Sequence, residues 1–84
     1  MEKNVKDALR EFIIRYADIP ADDPDFTDDV NLFDFGFVDS LGATEIVLFI
    51  EEHFHITITQ EDITLYPMNS IDEIAEVVER KLEA

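Results

Sequence analysis

Apolar side chains recur at helical spacing in three stretches of the chain. In the first, residues 3–17, they follow the i, i+3, i+4, i+7 pattern of an amphipathic helix. The apolar positions of this stretch are Val5, Ala8, Leu9, Phe12, Ile13 and Tyr16. Most of the bases of the chain also lie here, namely Lys3, Lys6, Arg10 and Arg15. We expect these bases to pair with nearby acids or with acids across the bundle.

The second stretch predicts a central helix that begins at Asp39 or Ser40, because either side chain can cap the first backbone N–H groups. One face has core spacing and carries Ala43, Ile46, Val47, Ile50 and Phe54. The opposite face carries Leu41 and Leu48 beside Thr44, Glu45 and Glu52. A helix that only covers a core has a polar outer face. The apolar groups on the outer face therefore predict contact with another molecule.

A linker and a short helix follow the central helix, and the third stretch with helical spacing comes after them. We interpret residues 55–58 as an extended linker whose isoleucines enter the core, and Thr59 as the cap of a short helix that ends before Pro67. Ser70 and Glu73 have the spacing of a capping box. The final helix, which we expect to reach Lys81, carries Ile71, Ile74, Ala75, Val78 and Leu82. The fold prediction is a single all-α domain over residues 1–84, a four-helix bundle of three longer helices and one short third helix.

A long loop, residues 18–38, follows the first helix. Pro20 and Pro24 disfavour a helix in it, and Gly36 is expected to supply a backbone turn. We expect the apolar residues of the loop to pin it across the end of the bundle. These residues are Phe26, Val30, Leu32, Phe33, Phe35 and Phe37.

The same loop is rich in aspartate, which raises the question of calcium. The acids concerned are Asp22, Asp23, Asp25, Asp28 and Asp29. The helix–loop–helix calcium pattern requires a glycine at its sixth position and a closing glutamate, and neither is present. We predict a solvated loop and no dedicated metal site, with weak binding of divalent ions left open.

Charge limits the classes of partner. Twenty-one acids against six bases give a formal net charge of −15, which disfavours nucleic acid and anionic membranes. Basic protein surfaces are the expected partners, although acidity that serves solubility alone is an alternative. The chain has no cysteine, no apolar run of about 18 residues and no apolar signal segment. We expect a cytoplasmic monomer.

Asp39-Ser40-Leu41, followed by Glu45, Glu51, Glu52 and Phe54 and preceded by the Leu32–Phe37 approach, resembles the signature of acyl carrier proteins. The resemblance implies a covalent 4′-phosphopantetheine arm on Ser40, taken from coenzyme A by a separate phosphopantetheinyl transferase. The thiol of the arm would hold cargo as a thioester. Partner enzymes with basic patches would then meet the surface formed by Asp39, Leu41, Thr44, Glu45, Leu48 and Glu52.

Ser40 lacks the surroundings of a hydrolase nucleophile. It lies in no Gly-x-Ser-x-Gly elbow, and His53 and His55 are about three to four helical turns away. We therefore predict a carrier that is not an enzyme. A groove between the central, third and last helices would shelter the cargo or be a filled core. Its predicted lining is Val47, Ile50, Phe54 and Ile63.

The cargo remains open between two classes. Gly42 follows Leu41 where fatty-acid carriers typically have aspartate, and this glycine is similar to D-alanyl and some aminoacyl carriers. The strong acidity favours an acyl carrier of fatty-acid, polyketide or related biosynthesis. We rank acyl first and aminoacyl second. A carrier-like acidic docking module whose serine is never modified is a third hypothesis.

Overall fold

A computed structural model of the chain describes residues 4–20 and 22–83. The described residues form four helices and no strand, which confirms the predicted all-α bundle with a short third helix. The helices are α1 (Val5–Ala17), α2 (Ser40–Phe54), α3 (Gln60–Leu65) and α4 (Ile71–Glu83). Lys3, predicted at the start of the first helix, lies outside the described residues. No helix within them is long and apolar enough to cross a membrane.

Short polar side chains start all four helices, because their oxygens accept N–H groups that have no partner within the helix. Asn4 caps α1 and Asp39 caps α2. Thr59 and Asp62 form a complete capping box on α3. At α4 the box is modified: Ser70 Oγ accepts the N–H of Glu73, but the Glu73 carboxylate accepts the N–H of Asn69.

The core is formed where α1, α2 and α4 meet, and residues of the long loop close it. α4 extends two residues beyond the predicted Lys81, and its buried face includes Val77, which the helical pattern did not single out. Tyr16 and Leu82 were predicted on core faces and are exposed. The largest fully buried side chains are Leu9, Ile13, Phe26, Leu32, Ile50, Ile71 and Val78.

The long loop is fastened to the bundle by α1 and by the start of α4. The Arg10 guanidinium lies over the Phe26 ring at 4.6 Å and donates to the Phe26 carbonyl at 2.8 Å. Arg10 also pairs with Asp28 at 3.2 Å. The carbonyl of Asp28 in turn accepts the N–H of Asp72 at 2.9 Å. A second ion pair, from Lys6 to Asp72, joins α1 to α4 at 2.8 Å, so the predicted pairing of α1 bases across the bundle is confirmed for two of them.

Only part of the apolar set in the loop reaches the core. Phe26, Val30 and Leu32 are buried and Phe37 is half-buried, which confirms their predicted role. The prediction is wrong for Phe33 and Phe35, which are exposed. The turn from Asn31 to Gly36 directs both side chains outward.

Polar contacts attach α3 to the rest of the bundle. The carboxylate of Asp62 accepts the Thr59 N–H and pairs with Lys81 of α4 at 2.6 Å. These interactions, with the Lys81 hydrogen bond first, lower the pKa of Asp62 from 3.8 to about 2. The preceding linker is held by Glu51, which accepts the N–H of Ile58 at 2.9 Å. Ile58 is buried, as predicted for the linker.

Candidate functional site

Ser40 is the first residue of α2, and its side chain is exposed. Asp39 caps the helix: its Oδ1 accepts the Gly42 N–H at 2.9 Å, and its carbonyl accepts the Ala43 N–H at 2.9 Å. Within residues 4–20 and 22–83, the Ser40 hydroxyl and the N–H groups of Ser40 and Leu41 have no hydrogen-bond partner. A hydroxyl therefore stands free beside unpaired donors at the positive end of a helix, where an anion is favoured.

A hydrogen-bonded turn holds the approach to Ser40. The Asn31 side chain accepts the N–H groups of Phe33 and Asp34, both at 3.0 Å. Gly36 has φ +76°, a left-handed conformation that L side chains rarely adopt, which confirms the predicted glycine turn. The N–H groups of Phe37 and Val38 both donate to the Leu32 carbonyl. Because Leu32 and Val38 are also buried, the chain enters α2 from a fixed direction.

Gly42 allows α1 to approach the first turn of α2. A Cβ atom at this position would lie 2.7 Å from Cγ1 of Val38 and 3.2 Å from Cε2 of Tyr16. The glycine therefore has a packing role that its place in the motif did not reveal. Glycine costs about 1 kcal/mol in helix propensity relative to alanine. The close contact between α1 and α2 offsets this cost.

The predicted outer face of α2 is open to solvent. Leu41 is 65% exposed and Leu48 is 46% exposed. Thr44 and Glu52 are exposed, whereas Glu45 is half-buried. Asp39 is exposed as a residue, although one of its carboxylate oxygens serves the helix cap.

An apolar groove of about 280 Å³ lies beside the first half of α2. Val47 and Ile63 line it as predicted. Ile50 and Phe54 do not: Ile50 is fully buried in the core, and Phe54 belongs to the opposite end of α2. The lining contains no charged side chain and consists of Phe33, Ala43, Ile46, Val47, Ile63, Tyr66, Pro67, Met68, Asn69 and Ile74.

Both histidines lie at the far end of α2 from Ser40. His53 stacks on Phe49 with ring centroids 5.0 Å apart and meets Phe54 edge to face at 4.8 Å. His55 ends the helix in a left-handed conformation. Thirteen residues at about 1.5 Å rise separate His53 from Ser40 by about 20 Å, so neither ring can act as a base for that hydroxyl.

The aspartates of the loop do not assemble into a recognisable ion site. Among the described residues, no group of three or more His, Cys, Asp or Glu side chains is placed to hold a metal ion. Several of these acids have structural partners instead. Asp28 pairs with Arg10, and Asp23 accepts the Asp25 N–H at 2.9 Å.

Sequence reasoning missed two aromatic residues of this region. Phe33 lines the groove, and Phe35 is exposed within the approach to Ser40. The available signal was the pair Asn31 and Gly36, which brackets both phenylalanines with residues typical of turns. A turn between buried anchors cannot direct every phenylalanine into the core.

The comparison with protein families gives a match over residues 7–78 to the model described as "phosphopantetheine attachment site". This span covers well over half of the chain and includes all of α2 and the loop that leads to it. The comparison with curated proteins gave no match.

Proposed function

Because the chain belongs to the phosphopantetheine attachment-site family, whose domain bears the 4′-phosphopantetheine group, we propose that Ser40 is the attachment residue of an acyl carrier protein. The observation that carries the proposal is the free Ser40 hydroxyl at the start of α2. The chain has one other serine, Ser70. Ser70 is buried and its oxygen caps α4, so it is a poor acceptor.

The residues around Ser40 fit the group. Transfer would form a bond from Ser40 Oγ to the phosphorus next to pantetheine as the phosphoanhydride bond of coenzyme A breaks and adenosine 3′,5′-bisphosphate leaves. The hydroxyl proton would pass to a base of the transferase. The unpaired N–H groups of Ser40 and Leu41 would favour the negatively charged phosphodiester that remains. When attached, the arm supplies a thiol that holds the cargo as a thioester. The protein supplies position and shelter.

The groove favours an acyl cargo over an aminoacyl one. An aminoacyl thioester carries an ammonium group, which is costly to bury without a partner, and the groove lining offers no carboxylate. An alkyl chain gains about 0.8 kcal/mol for each buried CH₂. The proposed cargo is therefore an acyl chain for fatty-acid, polyketide or related synthesis.

The proposed partners are a phosphopantetheinyl transferase and acyl-loading or acyl-transfer enzymes with basic patches, which we expect to meet the protein in the cytoplasm. They would contact Asp39, Leu41, Thr44, Glu45, Leu48 and Glu52. The formal charge of −15 would raise the encounter rate with such surfaces. The chemistry would reside in those enzymes and not in this chain.

The attachment is tested by intact-mass measurement after incubation with coenzyme A and a broad-specificity transferase. The wild type and Ser70→Ala should each gain one phosphopantetheine, and Ser40→Ala should gain none while keeping its helical circular dichroism. An arm on Ser70 would contradict the assignment. No arm, under conditions that modify another carrier, would favour the unmodified docking module.

The cargo class is tested by thermal unfolding of the loaded protein. An octanoyl group that enters the groove should raise Tm above that of the unacylated holo form, whereas a D-alanyl group should leave it unchanged. If the D-alanyl form is the more stable, the aminoacyl alternative replaces the acyl proposal.

A further inference from the structure

Phe35 and Leu41, which together we call the Ser40 rim, flank Ser40 along the chain and are two of the most exposed large apolar side chains in the described residues, at 60% and 65%. Leu82 of α4 is also exposed, at 48%, but it lies beside His53 and Phe54 at the end of α2 that is far from Ser40. Single exposed apolar residues are common, so the rim must be judged by how it is held and what surrounds it.

A hydrogen-bonded turn of the backbone directs Phe35 toward the solvent. Its own N–H donates to the Asn31 carbonyl at 3.2 Å, and the next N–H, of Gly36, donates to the Phe33 carbonyl at 3.1 Å. Its ring stacks on Phe37 at 6.2 Å, and Phe37 meets the buried Phe26 edge to face at 5.4 Å. A row of three rings thus runs from the core to the surface and ends at Phe35.

The rim also lies in a stretch of the chain with few available acids. Although a quarter of the residues are acidic, Asp39 is the only acid from Phe35 to Thr44, and its Oδ1 serves the helix cap. The first turn of α2 contains no acid. Acids resume at Asp34 on one side and at Glu45 on the other.

We propose that the Ser40 rim is the apolar centre of the partner interface, and that it fits enzymes whose active-site entrance is apolar and whose basic residues lie outside that entrance. This inference rests on the proposed function, because an arm attached at Ser40 would bring the entrance of the partner to the residues that flank Ser40. Interfaces concentrate binding energy in aromatic and apolar anchors near their centre, with charges at the edge. Phe35 is then a specificity-determining contact outside the partner surface that was predicted from the sequence.

The test compares Phe35 with an exposed apolar residue, Leu82, at the far end of the bundle. The quantity measured is kcat/KM for transfer of phosphopantetheine from coenzyme A to Ser40, followed by intact mass. We expect the series Phe35→Leu, Phe35→Ala, Phe35→Ser to lower it progressively, to about tenfold for serine. Leu82→Ser should stay within about twofold of the wild type. Circular dichroism and Tm should show that all the variants remain folded.

The dependence of loading on salt distinguishes the contribution of the apolar centre from that of the charged edge. Raising the ionic strength from about 0.1 M to 1 M shortens the Debye length from about 10 to 3 Å. The deficit of Phe35→Ser should persist at the higher salt, whereas that of Glu52→Gln should disappear.

Three results would overturn the inference: Phe35→Ser loading at the wild-type rate, a deficit that vanishes at high salt, or a wild-type dimer in sedimentation that Phe35→Ser converts to a monomer. The last result would mean that the rim is covered by a second copy of the chain. Failure of the proposed function looks different, because no protein of the series would then gain mass.

Discussion

Two helices, α2 and α3, both line the apolar groove, and they are held in different ways. α2 is 15 residues long and places Ile46 and Ile50 in the core. α3 is six residues long, and its apolar residues Ile63 and Leu65 are exposed. What fastens α3 is Asp62, through its capping box and its ion pair with Lys81.

The difference teaches how a small bundle combines a fixed surface with an adjustable one. Burial of apolar area makes α2 part of the cooperative core, and Ser40 therefore stands on a rigid element. A short helix attached by polar contacts can move without opening that core. We expect cargo of different sizes to be accommodated by movement of the α3 wall, while the position of Ser40 stays the same.

The largest expected effect comes from the buried side of α2. Ile50→Ala should lower the free energy of unfolding by about 2–5 kcal/mol, because it removes buried methyl groups and leaves a cavity. Urea denaturation followed by circular dichroism measures it. A loss below about 1 kcal/mol would mean that α2 is not packed as tightly as α1 and α4.

Gly42→Ala tests the close contact between α1 and the first turn of α2. Overpacking against Val38 and Tyr16 should cost about 1–3 kcal/mol, which exceeds the gain of about 1 kcal/mol in helix propensity. We expect a net loss of about 1 kcal/mol in the same urea assay. A net stabilisation would show that the neighbours give way freely and that the glycine has another purpose.

Asp62→Asn tests the polar attachment of α3, and we expect a smaller, pH-dependent loss. The folded protein lowers the pKa of Asp62 from 3.8 to about 2. The carboxylate therefore stabilises the fold above pH 3.8, and this contribution disappears as the pH falls through about 2. The difference in unfolding free energy between wild type and Asp62→Asn should be constant near neutrality and shrink in that window.

Hydrogen exchange shows which helix loses stability in Asp62→Asn. Amides of residues 60–65 should exchange faster in Asp62→Asn, with those of α2 unchanged. Equal acceleration in both helices would show that α3 is part of the cooperative core, and the contrast between the two walls would fail.

The smallest effect on stability is expected on the outer face of α2. Leu48→Ala should change the free energy of unfolding by less than about 0.5 kcal/mol, because this side chain is already half exposed. It should weaken docking to the transferase more than Glu45→Gln does at physiological salt, since an apolar anchor contributes more than an exposed ion pair. Unfolding of Leu48→Ala to the extent seen in Ile50→Ala would show that this face is structural.

Much of the architecture could be predicted because it depends on neighbours in sequence. Helical periodicity predicted the three longer helices, and the cap Thr59 together with Pro67 predicted the short one. The motif around Ser40 and the exposed Leu41 and Leu48 also follow from local spacing. The exposure of Tyr16 and Leu82 did not, because an apolar stripe shows which side of a helix faces inward but not how far along it the core extends.

The sequence by itself determined the helices, their caps and the candidate serine, since these depend on residues within one or two turns of one another. Only the tertiary structure decided that Gly42 seats α2 against Tyr16, that Lys81 anchors Asp62, and that the groove ends before Ile50. It also decided that Phe35 faces outward while Phe37 faces inward. Each of these features depends on which residues from distant parts of the sequence pack against the side chain. Because the interior is close-packed, these contacts are fixed only by the complete fold.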